Sequence, residues 1–133
     1  MTDAAATAAR LAEEKLVELA DARPPAFSDE SLAQRFVQQH GGNLRFVAAW
    51  ARWQVWIDGR WTPDSTLDAF DRARAICRVA SSEANKNSVK TAVASAKTVA
   101  AVERLAKADR RIAASVEQWD QDPDLFNCQV TGK

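Results

Sequence analysis

The sequence predicts an α+β fold, mostly helical, in which a helix bundle packs beside a small three-stranded antiparallel meander. Three observations predict it. Apolar residues recur at helical spacing along most of the chain, which marks amphipathic helices. From Leu44 the apolar period shortens from 3.6 to 2, the pattern of a half-buried strand. Within Trp50 to Asp64, WARWQVWIDGRWTPD, Asp58-Gly59 supplies a two-residue hairpin turn. A type I′ turn needs φ > 0 at both central residues, and Asp and Gly accept that best. The turn sets Ile57 opposite Arg60 and Trp56 opposite Trp61. A lone hairpin is marginal in water, so a third strand and helices are needed to cover it.

The elements follow in order. Residues 3–21 are rich in Ala, Leu and Glu, good helix formers, with Ala5, Ala9, Ala12, Leu16 and Leu19 on one stripe. This weakly apolar helix suits an arm, a linker or a short coiled-coil seam. Arg23-Pro24-Pro25 ends it, because proline cannot continue a helix. Ser28 is the cap of a second helix, Asp29 to His40, with Leu32, Ala33, Phe36 and Val37 inward. Gly41-Gly42 is expected to close it with a left-handed residue, and His40 to add favourable charge at its end when protonated. Strands are expected over Leu44–Ala49, Trp53–Ile57 and Arg60–Thr62. Pro63-Asp64 stops the meander, and Asp64 or Ser65 caps a helix from about Ser65 to Ser82. Asn85-Lys86-Asn87 is a break. One long helix is then expected from about Ser88 to Ala108, with Val89, Val93, Ala96, Val99, Ala100, Val102 and Leu105 as its apolar stripe. Asp109 is a candidate cap for a last short helix holding Ile112, Val116 and Trp119. The expected organisation is an arm over residues 1–25, a compact domain over 26–119 and a loosely held tail over 120–133.

Composition bounds the function. With 133 residues, 47% apolar and 27% charged, the chain fits a single soluble globular domain. Net charge is zero but uneven. Residues 1–43 carry net −3, 44–80 net +2, 81–118 net +3 and 119–133 net −2. The middle can therefore present a basic face. Cys77 and Cys128 make no disulfide framework and suit a reducing cytosol. A single histidine, His40, excludes a zinc set built on histidines. No apolar run approaches a membrane span, and the N-terminus lacks an apolar leader segment. The expected location is cytoplasmic.

Three constellations are candidates. Lys86, Lys90, Lys97 and Arg104 lie within about 40° of one another on a continuous helix, and Lys107 and Arg111 extend the row. Such a row suits phosphate contact, although a solvated helix face has the same pattern. Trp56 and Trp61, with Arg52 and Arg60 near, form the second. Aromatics beside arginines stack single-stranded bases. Trp50 and Trp53 are read as core, while Trp56 and Trp61 are left open between core and stacking surface. Asp120, Asp122 and Asp124 form the third, better read as a polar turn than a cation site, since there is no turn glycine or distal glutamate. No serine or cysteine has a histidine partner, and no GxxxxGK[ST] phosphate loop occurs. No metal, cofactor or catalytic residue is therefore expected.

The order SDESLAQRFVQQHGGNLRFV, WQVWIDGRWTPD, two helices and WDQDPDLFN resembles the helical domain that precedes the helicase core in phage and plasmid primase–helicases. These form the poxvirus-like branch of the superfamily III helicases. The resemblance spans Ser28 to about Asn127. It rests on Trp53-x-x-Trp56-x-Asp58-Gly59-x-Trp61, on Arg35-Phe36 and Leu44-Arg45-Phe46-Val47, and on Asp120-x-Asp122-Pro123-x-Leu125-x-Asn127. Family chains read on into a Gly-containing strand and an ATP-binding core. Here CQVTGK follows Asn127, which suggests an excised domain or a free-standing remnant of a mobile element.

The resemblance implies a role in replication initiation, beside a ring-forming helicase. The expected function is a non-catalytic accessory domain that contacts DNA, single-stranded or forked, or positions the helicase ring. The expected partners are DNA, a helicase or primase core and neighbouring subunits, without a membrane. The alternative is a free-standing interaction module, homo-oligomeric or docking on a replicative helicase.

Overall fold

The computed structural model describes residues 2–21 and 23–121. The fold is α+β, with six helices and a small sheet among the described residues. Helix α1 covers Thr2–Asp21 and α2 covers Asp29–His40. Strands β1 (Leu44–Val47), β2 (Arg52–Ile57) and β3 (Arg60–Pro63) form the expected antiparallel meander. Helix α3 (Asp68–Glu83), α4 (Asn87–Val93) and α5 (Ala96–Ala108) follow, then β4 (Ala113–Ala114) and α6 (Val116–Gln121). The sheet order is β3-β2-β1-β4, with β4 parallel to β1. The tail reading over 120–133 lies, beyond Gln121, outside the described residues, as do Cys128 and most of the Asp120–Asp124 cluster.

The hairpin forms as its turn chemistry requires. Asp58 and Gly59 have φ of 51° and 80°. Trp56 pairs with Trp61 and Ile57 with Arg60. Strand alternation then divides the sheet into two faces. Leu44, Trp53 and Val55 join α2, α3 and α5 in the main core, together with Leu32, Phe36, Ile76, Val102 and Ile112. Val47 and Trp61 point to the other face, where they pack with Trp119 of α6 in a second, smaller cluster.

Two polar arrangements fix the sheet and α3. The Trp53 Nε1–H donates to Glu103 Oε2 at 3.1 Å. Lys107 lies 3.8 Å from Glu103, one turn away on the same helix, and 4.7 Å from the Phe46 ring centre, so α5 is tied to the sheet by the Trp53–Glu103 hydrogen bond and a cation–π contact. The Asp64 carboxylate accepts from the backbone N–H of Thr66, Asp68 and Ala69. It therefore caps α3 from four residues upstream, as its position after Pro63 suggests.

Several expectations need correction. Residues 88–108 are not one helix. Ser95 caps α5 by accepting from the Thr98 N–H, and the Ser95 and Thr98 hydroxyls both donate to the Ala92 carbonyl. The two hydroxyls satisfy the backbone groups that a continuous helix would have paired, so the helix divides there. The apolar stripe is rephased: Val93, Val99, Val102 and Ala106 are buried, whereas Ala96, Ala100 and Leu105 are exposed. β1 stops at Val47 and turns through a 3₁₀ segment, Ala48–Trp50, into Ala51 at φ 49°. Trp50 is thereby carried out of the core and is 44% exposed.

Neither Gly41 nor Gly42 is left-handed. Gly41 has φ −61°, and a Cβ there would lie 2.6 Å from the Val37 carbonyl oxygen, so close approach is what requires glycine. His40 is not a charged cap. Arg72 Nη1 lies 3.2 Å from His40 Nδ1 and can only donate, so the ring nitrogen accepts. Burial and the Arg72 charge hold the imidazole below its ordinary value, against an opposing pull from Asp68.

Candidate nucleic-acid interface

The hairpin is the most exposed part of the sheet. β2 and β3 project beyond β1, whose ladder with β2 ends at Leu44–Val55 with one further bond, from the Trp56 N–H to the Asn43 carbonyl. The hairpin tip is therefore a two-stranded ribbon, and its side chains are exposed where no helix covers them. Trp56 is 37% exposed and packs edge-on against Trp61, with ring centres 5.3 Å apart. Arg52, on the same strand and the same face as Trp56, is exposed, and Arg60 is exposed beside the turn. Neither arginine makes an ion pair among the described residues. Trp61 is 2% exposed, so its ring is packing rather than a free stacking surface.

The tryptophans form a connected row across this face. Trp50 meets Trp119 at 5.8 Å, Trp119 meets Trp61 at 5.9 Å, and Trp61 meets Trp56. The two inner rings are buried and the two end rings are exposed. Such edge contacts contribute roughly 0.5–1.5 kcal/mol each beyond area burial. The row therefore holds Trp56 rigidly at its outer end. The sequence pattern places Trp119 only at helical spacing in a last short helix, and Trp50 in the core; the 3₁₀ turn after β1 and the position of α6 bring both into this row.

The helical basic row is dispersed. Lys90, on α4, is half-buried, and its ammonium donates to the Ser81 and Ser82 carbonyls at the end of α3. Lys107 is held by Glu103 and Phe46. Arg111 forks onto Asp109, with Nε–Oδ1 and Nη2–Oδ2 both at 3.1 Å. That fork and neighbouring charge hold the Asp109 carboxyl below its usual range. Lys86 precedes α4, while Lys97 and Arg104 lie two turns apart on α5. All three are exposed and make no ion pair among the described residues. The break at Ser95 separates Lys97 and Arg104 from Lys86 and Lys90, because the two helices no longer share an axis or a phase.

Sequence reasoning did not single out Arg45 and Arg110. Arg45, on β1, is half-buried on the outer face. Its Nη1 donates to the Gly41 and Leu44 carbonyls, and its guanidinium lies 5.3 Å from the Trp61 ring centre. Arg110 Nε and Nη2 both donate to the Ala108 carbonyl, at 3.1 and 2.7 Å. The parallel pairing of β4 with β1, Phe46 opposite Ala113, brings Arg110 and Arg111 beside Arg45. Two alanines give no strand signal, so this pairing was not legible.

Among the described residues no three His, Cys, Asp or Glu side chains gather to hold a metal ion. No described helix is long and apolar enough to cross a membrane. A protein-family model described as D5 N terminal like matches residues 33–129. No curated protein and no solved structure gives a match.

Proposed function

Because that match takes in most of the chain, the protein belongs to the D5 N-terminal-like family, the N-terminal domain of D5-like primase–helicases, and we propose that it serves there as a non-catalytic accessory domain that holds single-stranded or forked DNA. The observation that carries the reading is the projecting hairpin. It presents Trp56, braced by Trp61, with Arg52 and Arg60 exposed and outside any ion pair among the described residues. An aromatic ring held rigidly beside unneutralised arginines supports base stacking with phosphate contact. Lys97 and Arg104 on α5 offer a second, weaker basic surface. The family is an N-terminal domain rather than a helicase core, which agrees with an accessory role.

The test is fluorescence anisotropy with labelled single-stranded, duplex and forked DNA at two salt concentrations. Binding should weaken steeply with salt. Trp56→Ala should weaken it by the worth of one stacked base, about 1–3 kcal/mol. Arg52→Glu/Arg60→Glu should weaken it further, and Lys97→Glu/Arg104→Glu should have the smaller effect. Equal binding by wild type and Trp56→Ala would remove the hairpin from the site.

A second reading keeps the protein as an interaction module on the helicase or as a homo-oligomer. It is favoured by α1, whose described side chains, Ala4 to Glu14, are all exposed. A 20-residue helix gains little stability in water without a packing partner. Sedimentation of the protein alone and with its cognate helicase tests it.

A further inference from the structure

Beside the second cluster lies an open cleft of about 530 Å³, between the end of α2, strand β4 and α6. Arg45, Arg110 and Arg111 line it, together with Gln38, Gln118 and Trp119. No carboxylate lines it among the described residues. Asp109, the residue before Arg110, is engaged by the fork of Arg111.

Each guanidinium is anchored on one side and, among the described residues, makes no further hydrogen bond on the other. A guanidinium has five N–H donors. Arg45 spends both Nη1 donors on the Gly41 and Leu44 carbonyls, leaving Nε and Nη2. Arg110 spends one Nε and one Nη2 donor on the Ala108 carbonyl. Arg111 spends the same two positions on Asp109. About three donors on each therefore take no partner among the described residues, and they are already oriented, so little rotamer freedom is lost when a ligand takes them. Burial lowers the Arg45 pKa, which marks a cation short of water and so one that gains from a nearby anion.

We propose that this cleft is a binding site for a terminal phosphate or polyphosphate group, carried by a nucleoside triphosphate or by a 5′-phosphorylated strand end. Arginine forks match phosphate oxygens two at a time. A terminal phosphate offers three oxygens and about −1.5 to −2 charge near neutral pH. An internal phosphodiester offers two free oxygens and one charge. Three guanidiniums converging on one concavity fit the first better than a track of single charges. The site does not depend on the hairpin's taking a strand.

The test is isothermal titration of the full chain with pyrophosphate and with ATP, without added metal, at low and physiological salt. Both should bind, and more weakly at higher salt. Arg110→Ala/Arg111→Ala, whose side chains are exposed, should bind about tenfold or more weakly, the scale expected for lost charge-assisted bonds. Lys97→Ala/Arg104→Ala should bind within about twofold of wild type, as distant surface charges do at physiological salt. Far-UV circular dichroism checks that each variant folds, and Arg45→Lys, which keeps charge but removes the fork, should also weaken binding. Tighter binding of ATP than of pyrophosphate identifies a free nucleotide. Tighter binding of a 5′-phosphorylated than of a 5′-hydroxyl oligonucleotide identifies a strand end. No heat from either pyrophosphate or ATP, or equal affinity in wild type and Arg110→Ala/Arg111→Ala, overturns the proposal. Trp56→Ala should leave pyrophosphate binding unchanged, so failure of the cleft and failure of the hairpin are told apart.

Discussion

Trp53 is the residue on which the two halves of the main core meet, and its replacement is the sharpest test of the architecture. The ring is 7% exposed. It packs edge-on against Phe36 of α2 at 5.9 Å and Phe46 of β1 at 5.3 Å. Its Nε1–H reaches Glu103 on α5. Trp53→Ala removes all three contacts and leaves a cavity the surrounding helices cannot fill. The expected cost is about 3–5 kcal/mol, the range for buried Trp and Phe truncations. With a urea m of about 1.5 kcal/mol/M, the unfolding midpoint falls by about 2–3 M. Trp53→Phe separates the terms. It keeps an aromatic ring and loses the donor to Glu103, which retains Lys107 and some water. Its expected cost is about 1–2 kcal/mol, a midpoint shift of about 1 M. Far-UV circular dichroism is the readout, since five tryptophans blur a fluorescence signal. A Trp53→Ala midpoint within about 0.5 M of wild type would refute the placement of the ring. Equal costs for Trp53→Phe and Trp53→Ala would show that the hydrogen bond, and not the packing, dominates.

Three further outcomes follow from the same geometry. Gly41→Ala should destabilise by about 1–3 kcal/mol, because its Cβ meets the Val37 carbonyl, whereas Gly42→Ala should change stability by less than about 0.5 kcal/mol, since nothing lies within 4 Å of that site; calorimetric melts of the pair check the contrast. Asp64→Ala should cost about 1–2 kcal/mol through loss of the α3 cap, and Asp64→Asn, which keeps one accepting oxygen, should cost less. His40 makes stability depend on pH. Its folded pKa is depressed, so between that value and about 6.5 the unfolded chain binds a proton that the folded chain refuses. Its contribution is complete above about pH 6.5 and is lost as pH falls through that window. Urea midpoints from pH 8 to 5 should show the loss, and His40→Gln should flatten it.

Local chemistry was legible where a residue type has one strong preference. Asp58-Gly59 fixed the hairpin register and Ser28 the start of α2; Asp64 does cap α3, but from four residues upstream, so the helix begins at Asp68 and not near Ser65. The division of residues 88–108 was hidden because no glycine or proline marks it. Ser95 and Thr98 are ordinary helix-surface residues until their hydroxyls take the Ala92 carbonyl. The row of cations followed from assuming one helix, so it dispersed with that assumption. The arginine cleft was hidden for a different reason. Arg45 and Arg110 are 65 positions apart, and only the β1–β4 pairing, two residues on each side, brings them together. Local periodicity carries no information about such a pairing.

The division of apolar side chains into two clusters sets which part of the molecule opens first. The main core unites four helices with one face of the sheet. The outer cluster has three buried residues, and α6 is joined to the sheet through a two-residue strand. Little apolar area has to be exposed to lift α6 and β4 away, so the free energy of that opening is well below that of global unfolding. Amides of residues 113–121 therefore exchange with solvent hydrogen ahead of those in α2, β2 and α5. The arginine cleft, one wall of which is β4 and α6, is built on a segment held more weakly than the main core. A ligand bridging Arg45 to Arg110 would close that segment down, and slower exchange over 113–121 would be the trace it leaves.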